Sequence, residues 1–322
     1  MGFFSKIFKG IQNLIGDVIG FLVGADFDDQ SQAAGVLLNK SSNIANIPVI
    51  YGTRKVGGTR VFLSTGGNDN EWLFICLVLA EGEVSSIGDV YINDVLSTDS
   101  KYSGLVYIDK KVGTDSQAAS GVLRGTSAPN VAPNDTWGAN HRLRGVAYLG
   151  IALKYDQDAF GSVPEIQAIV NGRKVHDPRN PSAADAFSTN PALCLRDYLT
   201  NSRYGKGLAA AQINDTAFAS AANVCDTLVT EYDNGGGNTG SNVKLLECNA
   251  VLDTGKQLFD NVKILLQGMR GLMPFQDGTY SLLIDAAAPA GTPFRLDSSN
   301  ITSDITVTSS GKNKKFNRVR AK

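Results

Sequence analysis

The stretch that decides the fold reads Asn190-Pro-Ala-Leu-Cys-Leu-Arg-Asp-Tyr-Leu-Thr-Asn-Ser-Arg-Tyr-Gly-Lys-Gly207. Asn190 is a favourable N-cap residue, and Pro191 suits the first position of a helix, where its missing N–H costs nothing. We expect Gly205 and Gly207 to end this helix, because glycine adopts the backbone conformation that follows a helix terminus. The stretch therefore predicts a short amphipathic helix packed on a core.

Upstream of this helix, residues 46–180 predict a β-rich domain, because short apolar runs separated by glycines recur there. Leu77–Ala80 is apolar on both faces, which indicates a central strand buried on both sides. Residues 112–140 are rich in Ser, Gly, Asn and Pro and predict a long surface insertion, with a short hairpin around residues 122–124. The two prolines of His176–Pro181 predict the boundary of this domain. The strand candidates are Ile47–Tyr51, Val61–Leu63, Trp72–Leu79, Val90–Ile92, Leu105–Ile108, Leu143–Leu153 and Ile166–Val175.

Downstream, residues 181–295 predict an α+β domain with two further helices. Asn214-Asp215 predicts the start of one helix, whose apolar face would carry Phe218, Ala222, Cys225 and Leu228. Thr254–Gln257 has the form of a capping box and predicts the start of the other. We expect one core to contain Leu195, Leu199, Phe218, Cys225, Leu258, Val262 and Leu265.

The same domain contains two further local signals. Tyr232–Asn242 includes three consecutive glycines and predicts a loop, because glycine runs hold regular structure poorly. Leu272–Phe275 and Tyr280–Ile284, joined by Gln276-Asp-Gly278, predict a β-hairpin.

The first 25 residues predict an amphipathic helix, and residues 26–45 a polar linker. Apolar side chains repeat three and four residues apart, as in a helix that packs against identical copies or a partner helix. A signal peptide or a transmembrane span needs an unbroken apolar run, which Lys9, Gln12, Asn13 and Asp17 interrupt. A helix lying on its own domain is the other alternative. The expected contact residues are Phe4, Phe8, Ile11, Ile15, Val18 and Leu22.

The order of residues in the stretch 190–207 resembles the central tail hub (tip attachment) proteins of long-tailed bacteriophages, the lambda J-like family. The resemblance spans roughly residues 46–320 and lies in several pieces that follow one another in the family's order. Besides the helix, these pieces are Trp72–Val84, Asp89–Val95, His141–Ile151, Val163–Val175, Glu247–Asp253 and Gly271–Tyr280.

This resemblance implies a structural virion protein at the distal end of the phage tail, made in the host cytoplasm. Three copies would form a hub that closes the tail tube, links it to the host-recognition apparatus, and acts in attachment and DNA ejection. The implied partners are the tail tube end or distal tail protein, the tape-measure protein, other tail-tip proteins and fibres, and a host receptor bound through regions outside this chain. The N-terminal apolar stripe would meet at the trimer axis or grip the tape-measure protein.

The resemblance also implies an architecture of two similar β modules per chain, so that a trimer matches the six-fold tail tube. The second module would begin within residues 296–322. Family members continue past this point, so we expect the natural protein to extend beyond Lys322.

Composition and motifs point away from several other classes. The 30 basic and 31 acidic residues give a net charge of −1, whereas a dedicated nucleic-acid binder carries a basic excess, so we expect no sequence-specific nucleic-acid partner. The histidines His141 and His176 have no second ligand at metal spacing, and no catalytic or cofactor motif occurs. The sequence thus predicts no enzyme, metal or cofactor. The four cysteines, which lack any CxxC pairing, predict buried free thiols: Cys76, Cys194, Cys225 and Cys248.

Two alternatives come from other functional classes. A tail-associated cell-wall hydrolase or protease would be carried by the insertion at residues 112–140 and would need converging carboxylates. A secreted, membrane-active protein would act through residues 1–24.

Overall fold

The computed structural model describes residues 39–41, 45–160, 162–232 and 238–285. The predicted N-terminal helix, most of the linker and the predicted second β module lie outside the described residues. The expectation of an α+β, β-rich fold is confirmed.

Two five-stranded sheets pack face to face in the first part of the chain. The first sheet has the strand order β1-β4-β5-β9-β8, and the second has the order β11-β10-β6-β7, with β3 also paired to β10. The pairings are antiparallel, except that β1 runs parallel to β4. The strands of these two sheets are β1 (Lys40–Ser41), β3 (Thr53–Val56), β4 (Thr59–Gly66), β5 (Trp72–Glu81), β6 (Val84–Ile92), β7 (Val95–Leu96), β8 (Val106–Lys111), β9 (Val146–Lys154), β10 (Ile166–Val175) and β11 (Ala186–Phe187). Strand β2 (Val49–Tyr51) lies outside both sheets.

Strand β5 is the centre of the first sheet, and every one of its residues is buried. Because successive side chains of a strand point to opposite faces, β5 serves two cores at once. Leu73, Ile75 and Leu77 pack between the two sheets. Phe74 and Cys76 pack on the opposite face. The prediction of a central strand buried on both sides is correct.

The insertion lies against that opposite face, and most of its residues are exposed or half-buried, but a short part of it is buried. Residues 112–145, all of them described, contain neither helix nor strand beyond one isolated bridge, so the expected hairpin around residues 122–124 is absent. Val122 and Leu123 are nevertheless buried against β5 and β9. Buried Gln117 holds the segment in place, donating to the carbonyls of Arg142, Leu143 and Val146 and accepting from the Gly113 N–H. The composition did not predict this burial, because small residues also let an irregular backbone lie close against a sheet.

The second part contains three helices and several short two-stranded ribbons. The helices are α1 (Pro191–Thr200), α2 (Asp215–Cys225) and α3 (Leu258–Met269). The remaining strands are β12 (Leu228–Tyr232), β13 (Asn238–Lys244), β14 (Ala250–Leu252), β15 (Gly271–Leu272), β16 (Phe275–Gln276), β17 (Thr279–Tyr280) and β18 (Leu283–Ile284). The helices share a buried core to which Val49, Tyr51 and Val175 of the β-rich part also contribute. Both parts belong to one compact unit that ends at Asp285.

The sequence predicts where the helices start better than it predicts how their ends are capped. Asn190 and Asn214 cap α1 and α2 as predicted. Helix α1 ends at Thr200 rather than at the glycines, because the chain turns away at Asn201. Helix α3 has no capping box, and its N-cap residue Gln257 makes no side-chain cap hydrogen bond. The Thr254 hydroxyl donates instead to the Ile47 carbonyl, which ties this turn to the β-rich part.

The ribbons bring one correction and one confirmation. Leu228 does not continue the face of α2; it lies in β12 and is 63% exposed. Strand β12 pairs with β13, so part of the predicted loop at 232–242 is strand, while residues 233–237 lie outside the described residues. The predicted hairpin is confirmed: β16 pairs with β17 and β15 pairs with β18. Its turn residues Asp277 and Gly278 both have positive φ, as a tight hairpin turn requires.

Candidate functional site

The stretch 190–207 lies where the β-rich core meets the helical core. The buried Asn190 side chain accepts from the N–H groups of Ala192 and Leu193, 3.1 and 3.4 Å away, and so caps α1. Its amide nitrogen also donates to the Ala222 carbonyl of α2 at 2.9 Å. One side chain thus starts a helix and fixes the helix that packs beside it.

Asp197, one turn before the end of α1, gathers the polar contacts between the two cores. Its Oδ2 accepts from the hydroxyls of Tyr51 in β2, at 2.5 Å, and Tyr204 in the loop after α1, at 2.7 Å. Its Oδ1 lies 3.9 Å from the guanidinium of Arg173 in β10. Arg173 also lies over the Tyr204 ring, 5.4 Å from its centroid. Strands β2 and β10, helix α1 and the following loop therefore meet at one carboxylate.

The protonation states in this cluster are fixed by burial and by mutual charge. Burial raises the pKa of Tyr51, and the neighbouring Asp197 carboxylate raises it further. The same two causes raise the pKa of Tyr204. Burial opposes the charge on Arg173, but the surrounding Tyr204 and Asp197 outweigh it, so the pKa of Arg173 is raised. Both hydroxyls therefore remain donors and the guanidinium remains charged at neutral pH.

Arg203 extends the cluster to the end of β5. Its Nε forms an ion pair with Oε1 of Glu81, the last residue of β5, which is itself buried. Two glycines leave room for this arrangement. A Cβ at Gly145 would lie 2.8 Å from the Arg203 guanidinium, and one at Gly205 would lie 1.8 Å from the Tyr198 carbonyl oxygen. A larger residue at Gly205 would collide with backbone and displace the Arg-Tyr-Gly segment, whereas one at Gly145 would push aside the guanidinium end of Arg203.

These side chains line one wall of a cleft of about 480 Å³ between the two cores. The opposite wall comes from the chain that enters β2 and from the turn before α3. The lining residues are Ala45, Asn46, Ile47, Glu81, Tyr198, Arg203, Tyr204, Gly205, Thr254, Lys256 and Leu258. The cleft is the feature of this junction best placed to receive another molecule.

The first sheet presents a second kind of interaction surface, its two edges. The Lys154 N–H donates to the Leu105 carbonyl. In an antiparallel pair every second residue is hydrogen-bonded to the partner strand, so the backbone groups of Val106, Ile108 and Lys110 point away from β9. Among the described residues no backbone group pairs with them. On the other edge, among the described residues, β1 covers Thr59 and Arg60 of β4 and the insertion covers Thr65 and Gly66, which leaves the middle of β4 open. Open strand edges of this kind accept further strands.

The residues predicted from the sequence fall into two groups. The structure places Leu195, Leu199, Phe218, Cys225, Val262 and Leu265 in the helical core, with Leu258 half-buried at its margin. The stripe Phe4, Phe8, Ile11, Ile15, Val18 and Leu22 lies outside the described residues.

The polar junction was missed by sequence reasoning. Tyr51, Glu81 and Arg173 occupy three different strands, and no spacing in the sequence connects them to Asp197. The one available signal was the Arg203-Tyr-Gly205 segment within the decisive stretch, which looked like a helix terminus and is in fact one wall of the cleft.

No obvious catalytic or metal chemistry accompanies this junction. Within the described residues, no group of three or more His, Cys, Asp or Glu side chains could hold a metal ion. His141 accepts from the Gly138 N–H through Nδ1, and His176 lies 3.5 Å from Asp185. The four cysteines are free and buried, and burial raises the pKa of Cys225 to about 11. Across the described residues, the helices are too short or too polar to cross a membrane.

Comparisons with known proteins support the predicted resemblance. No family model matches the chain. The chain is 24% identical to the baseplate hub protein pb3 of Escherichia phage T5 over 339 aligned positions, which cover 85% of this chain and 35% of that protein. It thus spans about a third of the length of that relative. A solved structure of the virion of a native gene transfer agent particle contains a chain with 16% identity and a TM-score of 0.45, covering 88% of this chain and 65% of that one.

The resemblance to phage tail hub proteins is confirmed. The similarity to pb3 supports a structural protein of a phage virion. It is consistent with a role that is not enzymatic.

Proposed function

We propose that this chain forms the central hub of a bacteriophage tail tip, as a homotrimer that closes the distal end of the tail tube. The observation that carries this proposal is the similarity to a baseplate hub protein over 85% of the chain. The hub would join the tube end or distal tail protein to fibres and other tip proteins. Attachment would use regions outside this chain, and ejection would pass DNA through the ring.

The first sheet suits the wall of such a ring. A closed ring needs two different surfaces on each copy that bind each other head to tail. The outer edge of β8 and the partly covered edge of β4 lie on opposite ends of the same sheet. Strands β5 and β9, which contain most of the predicted Trp72–Leu79 and Leu143–Leu153 segments, would form the middle of the wall. A second β module, expected from residue 296 onward, would double the number of units around the axis.

The N-terminal stripe would act inside this ring, at the trimer axis or against the tape-measure protein. Asn39, which follows the stripe in the sequence and lies within the predicted linker, is fixed to the β-rich part and would anchor both there. Its side chain accepts from the Ile166 N–H at 2.8 Å and from Arg60 at 3.0 Å, and donates to the Ile166 carbonyl at 2.6 Å. An apolar helix on a tether anchored in this way could release its contents reversibly.

The position of the protein in the particle tests the proposal. Gold-labelled antibody raised against residues 45–285 should mark the distal tail end of intact particles. Label on the capsid or along the tail shaft would contradict it. A zymogram of the purified protein on cell-wall substrate tests the alternative, since a hydrolase would clear the substrate and a hub would not.

A further inference from the structure

We propose that the cleft at the junction binds an acidic, extended polypeptide segment of a partner protein. The proposal rests on the proposed function only for the source of that partner, which would be another protein of the tail. Its evidence is the charge, shape and rigidity of the cleft itself.

Basic side chains outnumber acidic ones in the lining of the cleft, where Arg203 and Lys256 accompany Glu81. Lys256 and Arg203 line the cleft, Lys206 follows the lining residue Gly205, and Arg144 precedes Gly145, which contacts Arg203. The acidic groups beside them are Glu81, which is paired with Arg203, Asp197, which faces Arg173, and Asp253, whose carboxylate accepts from the Gly255 N–H. Within the described ranges, Arg144, Lys206 and Lys256 form no ion pair. Lys256 in the lining is thus available to a carboxylate of a ligand, and Lys206 and Arg144, each next in the sequence to a residue at the cleft, could add to it.

The cleft is already in a binding conformation. Tyr204 is held by its hydrogen bond to Asp197, and Tyr198 accepts a hydrogen bond from the buried Asn261 at 2.9 Å. Arg203 is oriented by its ion pair with Glu81. Tyr198, Tyr204 and Arg203 would therefore lose little side-chain freedom when a ligand enters, which favours affinity.

The lining favours a polypeptide over a nucleic acid. Ile47 and Leu258 give the cleft apolar surface that can pack against side chains between the carboxylates. A peptide can alternate carboxylates with neutral side chains, whereas a nucleic acid presents evenly spaced phosphates that this apolar lining would leave unpaired. Charge complementarity of this kind sets which partner binds more than it sets raw affinity.

Zero-length carbodiimide crosslinking of intact particles is the first test, because it joins lysine amines only to carboxylates in direct contact. We expect Lys206 or Lys256 to be joined to an aspartate or glutamate of a different tail protein. Crosslinks confined to this chain, or none at either lysine, would overturn the proposal. Gold label at the tail tip without such crosslinks would leave the hub function standing.

Binding of an octaglutamate peptide to the purified full chain is the second test. Lys206→Glu with Lys256→Glu should weaken peptide binding by about tenfold or more, since both changes place repulsion beside the ligand. Lys263→Glu is the matched control, because Lys263 is exposed on α3 and does not line the cleft. Equal losses in the control and the double variant, or tighter binding of a single-stranded oligonucleotide than of the peptide, would contradict the proposal.

Discussion

Asp197 shows at the scale of a single residue how this sequence unites two cores. Its carboxylate accepts from two tyrosine hydroxyls and faces the guanidinium of Arg173, and these partners come from β2, β10 and the loop after α1. Removing one partner from a buried, hydrogen-bonded charge cluster leaves the others desolvated and unpaired. The cost of losing Asp197 should therefore fall on both parts of the molecule.

Asp197→Asn should lower the free energy of unfolding by about 2 kcal/mol, because the half-buried Arg173 would lose its counter-charge and the two tyrosine hydroxyls would lose a charged acceptor. Urea denaturation followed by circular dichroism measures this change. Asp260→Asn is the control, since Asp260 forms an exposed pair with Lys263 and should cost at most about 1 kcal/mol. Similar losses in the two variants would show that the junction contributes no special stability.

Leu265→Ala should destabilise the helical core by about 2–5 kcal/mol, the usual cost of a cavity left by a buried leucine. Its neighbour Ile264 is partly exposed on the same helix, so Ile264→Ala provides the comparison. Thermal unfolding of both variants against the wild type measures the difference. A negligible effect at Leu265 would mean that this face of α3 is an interface and not a core.

At the scale of elements, an ionic cluster fastens the connector after β10 to the end of α2. Arg179 donates to both oxygens of Asp177 and, at 2.8 Å, to Asp226, which also pairs with Lys244 of β13. Hydrogen bonds from Arg179 lower the pKa of Asp177. Burial raises the pKa of Asp226, but hydrogen bonds from Lys244 and Arg179 outweigh burial and leave it lowered.

This cluster predicts an acid-sensitive contribution to stability. Because the folded pKa of each aspartate lies below its ordinary value of 3.8, the contribution is complete above that pH and is lost as the pH falls through the folded values. Arg179→Met should cost about 1–2 kcal/mol at pH 7 and much less near pH 2. Urea unfolding of wild type and variant at both pH values measures this. Arg124→Met, at an exposed position, should cost little at either pH, and an equal Arg179 effect at both would contradict the account.

The spacing of apolar residues and the helix-capping residues predicted most of the strands and helices. Contacts between distant strands could not be predicted in this way. The all-apolar run of β5 and the Asn-Pro start of α1 each contain their own evidence within a few residues. The partial burial of the insertion at 112–140 could not be predicted, because it depends on the sheet beneath and on hydrogen bonds from Gln117 to Arg142 and Leu143. The prediction that Leu228 lies on the apolar face of α2 was wrong, because its helical spacing continues past Cys225, where α2 ends. The Asp197 junction joins residues up to 146 positions apart, so no local spacing could reveal it.

At the scale of the whole molecule, the proposed role of the N-terminal stripe can be tested only in assembled particles. Phe8→Asp together with Ile15→Asp should yield particles that lose the tape-measure protein or tails that fail to assemble, because charge would enter an apolar contact. Lys9→Asp, on the polar side of the predicted helix, is the control. Electron microscopy and gel analysis of the particles measure the outcome. Normal assembly and infection by the double variant would rule out this role.

The sheet edges connect the single chain to its proposed ring. The outer edge of β8 offers backbone groups that no described residue satisfies, and among the described residues β4 is covered at Thr59 and Arg60 by β1 and at Thr65 and Gly66 by the insertion, so its middle stays open. In an isolated copy such edges would invite aggregation, whereas in a closed ring each edge would meet a neighbour. Closure of the proposed ring would therefore depend on the two edges of the first sheet.

A three-dimensional reconstruction of the tail tip in intact particles tests the central claim most directly. We predict three copies of this chain around the tail axis, with the first sheet in the ring wall and the β8 edge of each copy facing its neighbour. A different copy number, a position away from the distal end, or β8 edges open to solvent would contradict the account.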